Sequence, residues 1–457
     1  YIVPQDQHDP MAAVEMLRRL AFNGLRIAQL THAVAQEGRT YPAGTWVLPM
    51  DQEFAELARQ LLEPQVYPDL REYPGGPPEQ PYDAAGWTLQ YQMGVHVIAA
   101  MAPLTDAFRA ALRPVEGEPV ARDESPMSEL TTNPVAAGIV PPPGRISGSG
   151  PALAVDPAQN DAFRVVNRAL AAGGTVRFAA ATENRGGRYV ISGVNGSTLE
   201  RWVNELGLRA ERTPASGTPV RGRMALYKPW TASMDEGWTR WLLDRYEFGY
   251  TTITNADFAA GGLRDRFDVI AFASDGARTI LDGFAKGSVP PMYEGGIGGA
   301  GVRALDAFVR AGGTLVCLNR STDIAIQQLH LPVANAVARV DRKDFFASGS
   351  ILEVITDPAE PVMAGMPDRA AVFFDGSPVF VMQEGFEGSV LARYTDAGSP
   401  LMSGYLLGEA YLNGKAAALE VRHGDGRVVL IGFRPQWRGQ PFGTFRVLFN
   451  ALLRSGG

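Results

Sequence analysis

Apolar residues recur at three- and four-residue intervals in "AAVEMLRRLAFNGLRIAQL", from Ala12, and again in "DAFRVVNRALAAGGTVRFA", from Asp161. That spacing lines one face of an α-helix. In each segment a glycine (Gly24; Gly173 and Gly174) closes the helical pattern and a short apolar run follows. The pattern predicts a helix with a glycine C-terminal cap leading into a strand. The two segments lie 149 residues apart (Ala12 to Asp161), and without a gap "GRTYPAG" at 38–44 meets "GRYVISG" at 187–193. A second helical pattern follows each, "QEFAELARQLL" and "STLERWVNELGL". Two copies are too few for a solenoid, so the echo predicts two related small α/β modules, 1–114 and 150–216. Chance agreement between two common patterns is the alternative.

Residues 115–149 are rich in Pro, Gly and Ser and poor in large apolar residues, the composition of a linker or long surface loop. The segment "PYDAAGWTLQYQMGV" at 81–95 follows neither period and reads as ordered but irregular. From about Arg221 the pattern changes again. "RMALYKPW", "FDVIAFAS" and "GTLVCLN" are short apolar runs suited to buried parallel strands, with the helix "GVRALDAFVRAGG" between the last two. "SVLARYTD", then "AAALEVRHGDGRVVLIGF" with a "GDG" hairpin signal, and the closing helix "GTFRVLFNALLRS" extend the same unit. The fold class expected is α/β, the two small modules being joined by a larger parallel-sheet domain over 217–457.

Composition narrows the function. Over 457 residues the net charge is −7 with basic residues scattered, which points away from nucleic acid and anionic membranes. No apolar run approaches the ~20 residues of a spanning helix. One cysteine, Cys317, excludes an internal disulfide framework and a cysteine-rich metal site. The sequence opens at Tyr1 directly on an apolar strand pattern, with no signal-peptide regions, and reads as a piece whose beginning lies elsewhere.

Several longer motifs resemble the C-terminal extension of bacterial zinc carboxypeptidase-like proteins, relatives of carboxypeptidase A. They are "YIVPQDQHDP", "YPAGTWVL", "PYDAAGWTLQYQMGV", "MDEGWTRW", "GGIGGAGVRALDAFVRAGGTLV" and "GFRPQWRGQPFGTFRVLFNALL". The domain over 217–457 is similar in pattern to class I glutamine amidotransferase-like domains, whose sheet is flavodoxin-like. The resemblance implies an upstream carboxypeptidase-like domain as partner, zinc in that domain and no cofactor in this chain, and a secreted or periplasmic protein. Such a peptidase holds zinc with a His-x-x-Glu pair and a distant His. None of His8, His32, His96, His330 and His423 has Glu three residues on, so no metal ligands are expected here.

Candidate chemistry sits at the ends of the expected strands. Cys317 lies where an amidotransferase places its nucleophile, but Leu315 and Asn319 replace the glycines of a Gly-x-Cys-x-Gly elbow, which favours a packed thiol. "GIGGAG" at 296–301 matches the dinucleotide fingerprint, yet "GSVPPMYEG" before it is no strand. Trp230, Asp235, Glu236, Trp238, Ser274, Asp275, Asn319, Arg434 and Trp437 are the expected ligand-binding residues, since open α/β sheets bind at the carboxyl ends of their strands. They suit a peptide or sugar, and an arginine of "RPQWRGQ" is expected to pair with Asp235 or Glu236. Helix capping and core packing are the competing roles for the same residues. The functional expectation is a non-catalytic accessory region that supports the peptidase or binds substrate or partner. A free-standing hydrolase using Cys317 or the Asp235/Glu236 pair is the alternative.

Overall fold

The computed structural model describes residues 1–120 and 130–454; the rest of the expected linker and of the C-terminus lies outside the described residues. The first module opens with β1 (Ile2–Val3) and α1 (Pro10–Phe22). Asp9 caps α1 by accepting from Met11 N, and Pro10 takes the first turn, where a missing N–H costs nothing. Gly24, at φ +93°, ends it. Then come β2 (Ala28–Leu30), a separate hairpin of β3 (Val34–Gln36) and β4 (Arg39–Tyr41), β5 (Trp46–Val47), α2 (Ala55–Leu62) and β6 (Leu112–Pro114). The sheet order is β1-β5-β2-β6, antiparallel throughout.

The stretch read as a linker belongs partly to the folded body. Asn133 caps α3 (Pro134–Gly138), and Ala136 and Ile139 are fully buried in the main core. A Cβ on Gly117 would stand 2.6 Å from Gly138 N, so these glycines serve a close backbone approach rather than looseness. β7 (Arg145–Gly148) then pairs in parallel with a strand of the second module.

That module runs β8 (Ala152–Val155), α4 (Ala162–Ala171), β9 (Thr175–Ala179), β10 (Arg188–Ser192), α5 (Gly196–Glu205), β11 (Arg209–Thr213) and β12 (Thr218–Pro219). Its sheet order is β12-β9-β10-β8-β11-β7. Both modules therefore place their third strand between the first and the second, antiparallel to each. The ungapped glycine match does not hold, however. "GRTYPAG" spans the free-standing β4, whereas "GRYVISG" contains β10; the counterpart of β10 is β5, displaced by the inserted hairpin.

In the large domain β13 (Met224–Tyr227), α6 (Met234–Arg245), β14 (Tyr250–Ile253), β15 (Val269–Phe272), α7 (Gly298–Arg310), β16 (Thr314–Leu318) and α8 (Thr322–Gln328) alternate. They are followed by β17 (Ser350–Thr356), β18 (Arg369–Phe374), β19 (Gly388–Arg393), β20 (Ala416–His423), β21 (Gly426–Ile431) and α9 (Phe445–Leu453). The main path of this twelve-stranded sheet is β14-β13-β15-β16-β21-β20-β19-β17-β18. Its first five strands are parallel and the rest antiparallel. The parallel part has the flavodoxin-like order 2-1-3-4-5. The "GDG" signal is the tight turn of the β20–β21 hairpin, with Gly424 at φ +62°.

The central strands β13 and β15 are apolar throughout because both faces are covered, whereas the edge strand β14 carries the exposed Thr251 and Thr252. Met224, Leu226, Val316 and Leu318 face one core with α6 and α9, while Ala225, Tyr227, Leu315 and Cys317 face another with α7 and α8. The first of these cores also takes in Val3, Leu17, Leu153 and Val166 of the small modules. Among the described residues no helix is long and apolar enough to cross a membrane.

Candidate functional site

In the 2-1-3-4-5 order the chain reverses direction across the sheet between β13 and β15, and the crevice beyond their carboxyl ends is where open sheets take ligands. Trp230 and Thr231 follow β13. Trp230 is half-buried and meets Tyr293 edge-on, ring centres 5.3 Å apart. Ser274 and Asp275 follow β15, both buried. Asn319 follows β16, fully buried, and takes the left-handed conformation at φ +49°. A non-glycine residue there is strained, a feature that clusters at functional sites.

The ends of β15 and β16 touch, and Ser233, beyond β13, reaches Asp275. Asn319 Nδ2 donates to Ser274 Oγ at 3.1 Å. Three acceptor-capable atoms in the cluster, Thr231 Oγ1, Asp275 Oδ2 and Asn319 Oδ1, are buried and lack a hydrogen-bond partner. Burial pushes the Asp275 carboxyl up to about 6; Ser233 donates to it and opposes the rise, while Asp235 and Glu236 add to it and Arg320 lowers it. Buried acceptors without partners are costly in a folded protein unless something donates to them.

Helix α6 supplies the acidic wall. Ser233 caps it by accepting from Glu236 N. Asp235 is held by Arg434 Nη2 at 2.5 Å, and Arg434 Nη1 reaches Asp375 at 2.6 Å. Burial raises the Asp235 carboxyl and Arg434 opposes the shift. Glu236 is paired with Arg240 one turn on, not with the "RPQWRGQ" segment. Arg438 of that segment, itself left-handed at φ +49°, pairs with Asp83 at 2.9 Å. Trp437 stacks on Phe373, centres 3.8 Å apart, and has Trp87 6.2 Å away. The segment 81–95 is thus ordered by docking on the large domain and is not irregular throughout, since Leu89–Met93 form a short helix that Gly94 ends at φ +66°. Trp238 is half-buried and makes its ring contact with Trp241, 5.7 Å away, not with the strand ends.

Cys317 lies two residues before the left-handed position, wholly inside the core between β15 and β21. Burial drives its thiol far above the ordinary range. At the strand-end bend stands a carboxamide. "GIGGAG" opens α7 after a short 3₁₀ turn at Pro291–Tyr293 rather than a strand, and a Cβ on Gly296 would fall 2.3 Å from Ile280 O. Gly296 and Gly301 serve packing, whereas Gly298 takes a left-handed turn at φ +55°. Among the described residues no group of three or more His, Cys, Asp or Glu is arranged to hold a metal ion.

Strand-end positions were legible because each follows an apolar run. Thr231, Ser233, Arg320 and Asp375 were missed. Ser233 carried a usable signal, since Ser-x-x-Glu before a helical pattern marks a cap; Asp375 carried none, being 140 residues from Asp235 (375 − 235).

No family model matches the chain, and no curated protein matches it. Among solved structures, a cytoplasmic protein from Salmonella typhimurium is similar over 51% of this chain and 98% of its own, at 14% identity and a TM-score of 0.33. A β-galactosidase from Bacillus circulans sp. alkalophilus aligns over 52% of this chain and 31% of its own (12% identity, TM-score 0.32). An exo-β-1,4-mannosidase from Opitutaceae bacterium strain TAV5 aligns over 58% and 44% (13%, 0.32). Overlaps this loose bring no function to the chain.

Proposed function

We propose that this chain is a non-catalytic binding region of a zinc carboxypeptidase-like protein, its large domain holding a small polar ligand, a peptide or sugar, at the strand-end cluster. The observation that carries this reading is the bend after β16. The left-handed residue there is Asn319, which can accept and donate hydrogen bonds but not attack a carbonyl, while the one thiol is sealed in the core. Asn319 Oδ1, Asp275 Oδ2 and Thr231 Oγ1 are acceptors awaiting a donor. The Asp235/Glu236 pair does not favour a hydrolase, because each carboxylate is already neutralised by an arginine. Attachment to a peptidase is supported by the long motifs of the sequence.

The test joins turnover to binding. The chain, dialysed and then supplied with zinc, is assayed for release of C-terminal amino acids from peptides, and Cys317 is titrated with a thiol reagent. Release at background level and a thiol that reacts only after unfolding are expected. Ligand-observed magnetic resonance with peptides and oligosaccharides should find binding that Asp275→Asn weakens. Chelator-sensitive release, or turnover abolished by Cys317→Ser, would overturn the reading.

A further inference from the structure

Where α1, α4 and α6 meet, a cavity of about 510 Å³ opens, lined by none of the strand-end residues. Apolar surface comes from Met11, Trp241, Tyr246 and Phe442. Three arginines reach it, and each is committed within the protein. Arg245 holds Glu15 at 3.3 Å, Arg164 donates twice to Glu247 (2.8 and 3.0 Å), and Arg18 Nε donates to Ile139 O at 3.1 Å. The acids are mostly committed as well. Glu15 also takes Arg19 at 2.5 Å, Asp244 accepts from Tyr250, and Asp9 accepts from Met11 N and Asn160 N.

Two acceptors are left over. Asn160 is 2% exposed; its Nδ2 donates to Phe442 O at 2.8 Å, and its Oδ1 has no partner. Asp161 stands at the N-cap of α4 but makes no capping hydrogen bond, and its ion pair with Arg164 is long, 3.6 Å. Both line the cavity. We propose that this cavity binds a small organic ammonium ion, its N–H groups donated to Asn160 Oδ1 and the Asp161 carboxylate, its carbon frame against Trp241, Tyr246 and Phe442.

Charge supports the sign of the ligand. Burial pushes the Asp161 carboxyl up to about 6; Arg164 and Arg245 lower it, Asp9 and Glu15 raise it further, and a bound ammonium would favour its ionised form. The aromatic wall already accepts a cation, with the Arg245 guanidinium 5.4 Å from the Trp241 ring centre and 5.8 Å from that of Phe442. A metal ion is disfavoured, because the donors on offer are one amide oxygen and one carboxyl beside aromatic faces, not a set of hard oxygens. No residue is shared with the strand-end cluster, so this site and the proposed function stand or fall separately.

The full chain is titrated with benzylamine by calorimetry and by tryptophan fluorescence, with benzyl alcohol and benzoate as neutral and anionic probes of similar size. Saturable benzylamine binding is expected, with no competition from the other two. Asp161→Asn keeps the shape and removes the charge; with its fold checked by circular dichroism, it should bind benzylamine about tenfold more weakly or worse, the loss of a charge-assisted hydrogen bond. Benzylamine that does not bind the native chain, equal affinity in Asp161→Asn, or preferential uptake of benzoate would each overturn the proposal.

Discussion

Among single residues, Asp161 ties stability to pH most directly. Its carboxyl is pushed up to about 6 in the folded chain, from an ordinary value of 3.8. Below about pH 3 it is protonated in both states and has no effect. As pH rises from 4 to 6 the unfolded chain ionises it freely and the folded chain resists, so stability falls, and above 6 the loss levels off. Facing it are Asp9 and Glu15 from the α1 side, Arg164 on α4 and Arg245 on α6. A shift of this size corresponds to roughly 3 kcal/mol, an upper bound on what a neutral isostere recovers. Asp161→Asn should therefore be more stable than the native chain at pH 8 and indistinguishable from it below about pH 3, as read by urea denaturation. Equal stability at both would refute the shift. Nothing in the sequence marked Asp161, since an aspartate before a helical pattern reads as a cap; only the approach of two other helices desolvates it. Asn319, by contrast, was legible as a strand-end residue, but its left-handed conformation was not.

At the scale of elements, α9 is buried at every residue from Phe445 to Leu453 and apolar at all but Arg446 and Asn450. A helix of that pattern belongs inside a protein. It makes two polar bridges: Arg446 Nη1 donates to Gly365 O at 2.9 Å, and Asn450 donates through Nδ2 to Val362 O and Ala364 O (3.2 and 2.8 Å) and accepts at Oδ1 from Tyr189 at 2.9 Å. The helix thereby ties the second module to the large sheet. Asn450→Ala should cost roughly 2–4 kcal/mol, because a buried hydroxyl and two carbonyls lose their partner together. Asn450→Leu, which keeps the volume, should cost nearly as much; a tolerated leucine in chemical denaturation would show that packing alone holds α9. The sequence echo between the small modules predicts a like arrangement of their first three sheet strands, but not the β3–β4 hairpin or the later strand, which joins β2 in one module and β8 in the other. A hairpin inserted between strands changes spacing without changing pairing, and an ungapped match cannot see it. Composition misread 115–149 for a related reason, since Gly117 and Gly138 are small to let two backbones meet.

For the whole molecule, the decisive fact is that one core runs through all three units. Leu17 of α1, Val166 of α4 and Leu448 of α9 belong to the same buried cluster as Val316 of the large sheet. Units that share a core lose it together, so the chain should unfold in a single calorimetric transition whose van't Hoff and calorimetric enthalpies agree. Two resolved transitions would mean that the modules are stable apart. By itself, the sequence determined the alternation of strands and helices that makes an α/β protein and the strand ends where polar residues gather. Those are local properties, since apolar period and glycine position act over a few neighbouring residues. Tertiary structure alone decided that Trp87 meets Trp437, that the arginine on Asp235 also reaches Asp375, and that Asn160 and Asp161 line a cavity between three helices. Each of these depends on residues tens to hundreds of positions apart coming within a few ångströms, and burial, which sets the charge and the unmet hydrogen bonds there, exists only once the chain has folded around them.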